Sequence, residues 1–259
     1  MDTSFVVVNQ KIKRYKRFMI VALLVALVVS VLLNIVLFKQ LLGYYKLLYA
    51  GELDPLGLSY FQDQGAEISD DLPKVVFFGD SRAAQWSAPT AAGFTFINRG
   101  IGNQTSSQVA SRFAAHVSPL DPQIIILQVG INDLKTIPLF PERKQEIIET
   151  TEANIQKIVQ DSLDADAAVI LTTIFPASGN VPLARRLIWS NDVYLAIDEV
   201  NLFIQSLENE KVIIFDTASL LSNAEGKTKP EYSFDLFHIN QFGYETLNIE
   251  LLKLLERLK

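Results

Sequence analysis

Along this chain, short, largely apolar runs of strand length alternate with longer segments whose apolar residues recur every three or four places. The short runs cover 74–78, 94–98, 123–128, 167–174 and 212–215. Runs apolar throughout suit parallel strands covered on both faces. Between them, helical patterning covers roughly 106–115, 142–162 and 191–207. A last helical segment, 240–258, carries Leu247, Ile249, Leu251, Leu252, Leu254 and Leu255. The alternation predicts a three-layer α/β domain built on a parallel sheet. Periodicity alone leaves the strand order open.

A different pattern opens the chain. Residues 18–38 are 21 consecutive positions without a charge. At about 1.5 Å per residue they reach roughly 30 Å, the thickness of a bilayer core. Lys11, Lys13, Arg14, Lys16 and Arg17 precede the segment, and only Lys39 and Lys46 follow closely. The positive-inside bias then leaves the N-terminus in the cytoplasm and the rest outside. A cleaved signal peptide has a shorter apolar region ending at small residues, whereas Lys39-Gln40-Leu41-Leu42 follows here. The expected division is a basic cytoplasmic N-terminus (1–17), one transmembrane helix in contact with lipid (18–38), a juxtamembrane stalk or linker (39–73) and a domain (74–259).

Composition narrows the chemistry. The 259 residues include no cysteine and two histidines, with a formal charge of -6. Disulfides, thiolate metal sites and a three-histidine zinc centre are excluded; no metal and no cofactor are expected. Residues 1–50 hold seven Lys/Arg against one Asp, and the remainder 16 against 28 acidic residues. An acidic main domain argues against nucleic acid as a partner.

Three motifs stand in order. Gly79-Asp80-Ser81 follows the first apolar run, Gly130-Ile131-Asn132-Asp133 follows the third, and Asp235-Leu236-Phe237-His238 lies near the C-terminus. A serine, an asparagine and an Asp/His pair are the parts of acyl transfer through a covalent intermediate. The first two motifs fall at strand ends, where open parallel sheets place their sites. Taken alone, Ser81 reads equally as a helix cap. His116, with no carboxylate within four residues and Pro119 close by, reads as a surface or capping residue.

These blocks resemble the SGNH hydrolases, or GDSL-like esterase/lipase family, over roughly 74–252. The resemblance implies a flavodoxin-like, five-stranded α/β/α fold. It also implies a triad of Ser81, Asp235 and His238, and an oxyanion hole from the N–H groups of Ser81 and Asn103 with the side-chain amide of Asn132. Asn103 stands where the family has glycine, and asparagine enters left-handed backbone space more readily than most residues. Asp80 and Asp133 are expected to brace loops, and Gly100 and Gly102 to permit a tight turn. Arg82, Trp86 and Trp189 are candidate substrate contacts. Arg82 replaces the family's leucine and, exposed beside the serine, would bind a charged or hydroxyl-rich group. The implied activity is ester hydrolysis through an acyl-enzyme, with an O-acetylated envelope or exported polysaccharide as substrate. The enzyme would be a single-pass inner-membrane protein with a periplasmic catalytic domain. A lysophospholipase or thioesterase, an O-acetyltransferase with the same triad, and a catalytically weakened scaffold in a polysaccharide export assembly are the alternatives.

Overall fold

A computed structural model describes residues 3–61, 72–90 and 93–258, with side chains from Lys13 onward. The chain divides into two units, Met1–Pro55 and Leu56–Lys259. The first is one helix, α1 (Thr3–Leu53). It contains the one segment among the described residues that is long and apolar enough to cross a membrane, Lys13–Leu53, whose most apolar window has mean hydropathy 3.1. Within it the Asn34 amide donates to the Ser30 carbonyl one turn back, at 2.7 Å, so its polar group is satisfied inside the helix. The helix continues through the first part of the expected stalk. Residues 62–71 of that stalk lie outside the described residues.

The second unit is a parallel sheet of five strands: β1 (Lys74–Gly79), β2 (Thr95–Gly100), β3 (Ile124–Gln128), β4 (Ala168–Thr172) and β5 (Val212–Phe215). Their order is β2-β1-β3-β4-β5, all neighbours parallel. Alternate side chains feed two cores. Val76, Phe78, Ile125, Leu127, Val169 and Leu171 join one cluster. Val75, Phe77, Ile124, Ile126 and Ile170 join the other. Burial on both faces is why the central strands β1, β3 and β4 are almost wholly apolar, while the edge strand β2 carries Asn98 and Arg99.

The first face is covered by α3 (Ser106–Ser111), α4 (Phe113–His116), α6 (Lys144–Asp164) and α7 (Asp192–Ser206). In α6 the inward positions are Ile148, Thr151, Ile155, Ile158, Val159 and Ser162, a three-to-four spacing that keeps one stripe on the sheet. The second face is covered by α8 (Thr217–Leu221) and α9 (Gln241–Arg257), the latter through Tyr244, Leu247, Leu251 and Leu255. Two short helices, α2 (Ser81–Ala84) and α5 (Ile131–Leu134), directly follow β1 and β3. The order reverses at β1 and β3, the switch point beyond which such sheets hold their ligands.

Local differences from the expected elements have physical causes. The helix expected over 106–115 breaks at Arg112, whose guanidinium is drawn inward to the strand ends. The fourth strand ends at Thr172: Thr173 N–H makes the last ladder bond, to the Phe215 carbonyl, and Ile174 N–H turns instead to the Asn201 side chain. The irregular stretch 176–190 contains a short 3₁₀ helix, Leu183–Ile188.

Candidate active site

Ser81 opens α2 directly after β1. Its predecessor Asp80 is the helix cap and accepts the Arg82 N–H at 2.9 Å. Gly79, with φ 149, lies so close to β3 that an added Cβ would sit 1.8 Å from the Gln128 carbonyl oxygen. Only glycine fits there, which fixes the sharp strand-to-helix turn that presents the serine. Gly100 is required for a similar reason: its Cβ would meet the Ala84 nitrogen at 2.2 Å.

His238 reaches Ser81 from a turn near the C-terminus. Its Nε2 is 2.9 Å from Ser81 Oγ, and its Nδ1 is 2.9 Å and 3.0 Å from the two Asp235 oxygens. An ionised carboxylate only accepts, so Nδ1–H donates to Asp235 and Nε2 is left to accept from the serine hydroxyl. Asp235 Oδ1 also accepts the N–H groups of Phe237 and His238, both at 2.8 Å. Burial pushes this carboxyl up, but the His238 ring and the two backbone N–H groups outweigh it, so it sits below the ordinary carboxylate value.

Asn103 lies on the loop after β2 and Asn132 in the first turn of α5. Gly102 packs beside the serine, its Cβ position 4.0 Å from Ser81 Cβ. Asn103 is next, exposed and left-handed at φ 63. The Asn132 amide donates to the Gln104 carbonyl at 2.9 Å, and its Oδ1 accepts from Lys135 Nζ at 2.5 Å. An ammonium can only donate, so Lys135 fixes which end of the amide is nitrogen. That nitrogen carries a second N–H to offer.

Buried charges tie this scaffold together. Arg112 donates to the carbonyls of Gly79 and Arg99, both at 2.8 Å, and to Gln104 Oε1 at 2.5 Å. It thus pins the ends of β1 and β2 to the loop after Asn103. Burial lowers it to about 9. Asp133 accepts the Ser106 N–H and hydroxyl, each at 2.8 Å, and burial pushes it up to about 6.

Three expected placements are corrected. Arg82 is fully buried rather than exposed. It donates to the carbonyls of Phe237 at 2.8 Å and Phe175 at 3.0 Å, so it has no guanidinium to offer a substrate. Trp86 is buried among Phe77, Phe175, Phe215 and Tyr244, with its N–H donated to Asn248 at 2.8 Å. His116 is buried, its Nδ1 3.3 Å from the Arg112 guanidinium. Of the three candidate substrate contacts, Trp189 alone is not fully buried; it lies partly buried against Phe237, at 5.7 Å between ring centres. Lys135, Gln104 and Arg112 were missed as site-building residues. For Lys135 a signal existed: it stands three places after Asn132, on the same face of one helical turn.

The sequence matches the model of the GDSL-like lipase/acylhydrolase family over residues 59–246. The chain belongs to this family. GDSL-like hydrolases split ester bonds, and the chain is an ester-hydrolysing serine enzyme. A GDSL-like lipase from Bacteroides thetaiotaomicron is similar in structure at TM-score 0.64 and 21% identity, covering 79% of this chain and 99% of that one. An acetylxylan esterase from Geobacillus stearothermophilus is similar at TM-score 0.56 and 18% identity, covering 70% and 93%. At such identities the likeness establishes the GDSL fold. No protein of curated function matches the sequence significantly.

Proposed function

We propose that Ser81 is the nucleophile of an O-acetyl esterase acting on an envelope or exported polysaccharide. The observation that carries this reading is the 2.9 Å contact from Ser81 Oγ to a histidine whose other nitrogen is held by Asp235. His238 Nε2 takes the hydroxyl proton as Oγ attacks the ester carbonyl. The resulting oxyanion accepts from the N–H groups of Ser81 and Asn103 and from the free N–H of Asn132. Collapse breaks the ester bond, and His238 returns the proton to the departing sugar oxygen. Water, deprotonated by the same imidazole, then releases acetate and restores Ser81. Asp235 holds the tautomer throughout. In this reading Trp189, partly buried against Phe237, contacts the substrate.

The acetyl preference draws on the open cavity of about 620 Å³ that reaches Asp235 and carries Asn180, Asn223, Thr228 and Ser233 in its wall, and on the solved neighbour that is an acetylxylan esterase. In this reading α1 anchors the enzyme in the inner membrane, with residues 1–17 in the cytoplasm and the hydrolase domain in the periplasm. The support is the charge step around residues 18–38. A long-chain ester is the second reading, favoured by the exposed Leu183, Leu187 and Ile188 beside Trp189.

The test is an acyl-length series of p-nitrophenyl esters together with acetate release from acetylated oligosaccharides, using the full chain in detergent. The acetyl reading expects kcat/KM to fall beyond four acyl carbons and acetate to appear from the glycans. A maximum at eight or more carbons with no acetate release would replace it with the second reading.

A further inference from the structure

Phe234 is 74% exposed, although it directly precedes Asp235 and its N–H donates to the His238 carbonyl at 3.0 Å. A lone exposed apolar residue is ordinary. Phe234 differs in its position, on the turn that carries the triad's Asp and His and in the wall shared by two cavities. One cavity, about 620 Å³, extends from Phe234 and Asp235 past Asn180 to Asn223, Glu225 and Lys227. The other, about 450 Å³, extends from Phe234 to Gln85, Gln241 and Asn248. Amide side chains punctuate both walls, Asn180 and Asn223 in the larger cavity and Gln85, Asn240, Gln241 and Asn248 in the smaller, among hydroxyl and apolar residues.

We propose that these two cavities, with Phe234 as the ridge between them, form a groove that binds a neutral glycan chain beside the triad. The proposal rests on the O-acetyl esterase reading above and names the substrate's binding site. A pyranose ring presents a face of C–H bonds, which pack on the electron-rich face of an aromatic ring. Its hydroxyls both donate and accept, as the amides of Asn180, Asn223, Gln85 and Gln241 do. A long acyl chain would strip water from those amides without replacing its hydrogen bonds. A polyanion would be repelled, since Glu225 and Asp235 outnumber Lys227 in one wall and Glu245 is the charged residue of the other. Two adjoining cavities have room for several successive sugars, which an isolated acetyl ester does not need.

The test uses the full-length protein in detergent. In a Ser81→Ala background, calorimetry measures binding of partially O-acetylated xylohexaose, mannohexaose and chitohexaose, with and without Phe234→Ala or Phe234→Trp. In the Ser81 protein, kcat/KM is measured on the best of these and on p-nitrophenyl acetate. Sedimentation and thermal melts accompany each variant. Expected is binding of at least one hexaose, weakened at least ten-fold by Phe234→Ala and restored by Phe234→Trp. Phe234→Ala is expected to lower kcat/KM on the hexaose at least ten-fold more than on p-nitrophenyl acetate. Equal losses on both substrates, a loss that follows a change in oligomeric state or melting, or no binding of any hexaose would overturn the groove. Hexaose binding through Phe234 without acetate release sinks the acetyl-esterase reading and leaves the groove standing. Acetate release indifferent to Phe234→Ala sinks the groove and leaves that reading intact.

Discussion

The guanidinium of Arg82 donates to the carbonyl of Phe237, 155 residues away in sequence, at 2.8 Å. One residue before Arg82 is Ser81, and one residue after Phe237 is His238. The bond therefore fastens the serine's turn to the histidine's turn, and its second arm reaches the Phe175 carbonyl at 3.0 Å. Arg82→Leu would leave two buried carbonyls without donors, at about 1–3 kcal/mol each. A loss near 3 kcal/mol lowers melting by roughly 6–12 °C for a domain of this size. Thermal melts and kcat are both expected to fall. A variant with unchanged melting and turnover would remove the bracing role.

Lys135 offers a cleaner separation of binding from chemistry. Its ammonium holds Asn132 Oδ1 at 2.5 Å, so in the proposed mechanism it acts on the oxyanion through another residue. Lys135→Met is expected to lower kcat by about ten- to a hundred-fold, short of the ~10²–10³ for removing a donor outright. KM is expected to change less than three-fold. A large rise in KM with kcat intact would instead place Lys135 against the substrate.

Asn103 tests the backbone half of the same hole. Its φ of 63 is open to glycine and resisted by β-branched residues. Asn103→Gly is expected to retain turnover, and Asn103→Val to lose most of it, with folding followed by circular dichroism. Equal large losses in two folded variants would shift the role to the asparagine side chain.

The parallel sheet and the Asp235–His238 pair were legible in sequence for the same reason: both are written locally. Strands buried on two faces are mostly apolar, and Asp235 and His238 sit close enough in the chain for one turn to join them, whereas Ser81 joins them across 157 residues. The buried arginines were illegible because their acceptors arrive only through folding. Phe175 and Phe237 lie 93 and 155 residues from Arg82, and the Asn248 that satisfies Trp86 lies 162 residues on. Nothing near Arg82 or Trp86 in the sequence announces such partners, so a charged residue beside the serine read as exposed. Periodicity left the strand order open for a similar reason, since it depends on which crossovers pack; the family resemblance implied the flavodoxin-like order that the sheet has.

Asp133 gives stability a specific pH dependence. Its folded value near 6 stands above the ordinary 3.8 because burial penalises the charged form. Its contribution to stability is therefore full below about pH 4 and is lost as pH rises through about 6. Two units correspond to about 3 kcal/mol as an order of magnitude. Asp133→Asn keeps an acceptor for the Ser106 N–H and can donate to its hydroxyl. That variant is expected to lack the part of the unfolding free-energy slope between pH 4 and 6 that Asp133 supplies. Denaturant melts at several pH values measure the difference, and identical slopes would show that Asp133 does not titrate there.

The covalent step at Ser81 is tested most directly by intact-mass spectrometry after treatment with a fluorophosphonate. The full-length protein is expected to gain one adduct, mapped by peptide analysis to Ser81. The adduct should be absent in Ser81→Ala and formed far more slowly in His238→Ala. Labelling at another residue, or ester hydrolysis undiminished in folded Ser81→Ala protein, would contradict the triad assignment.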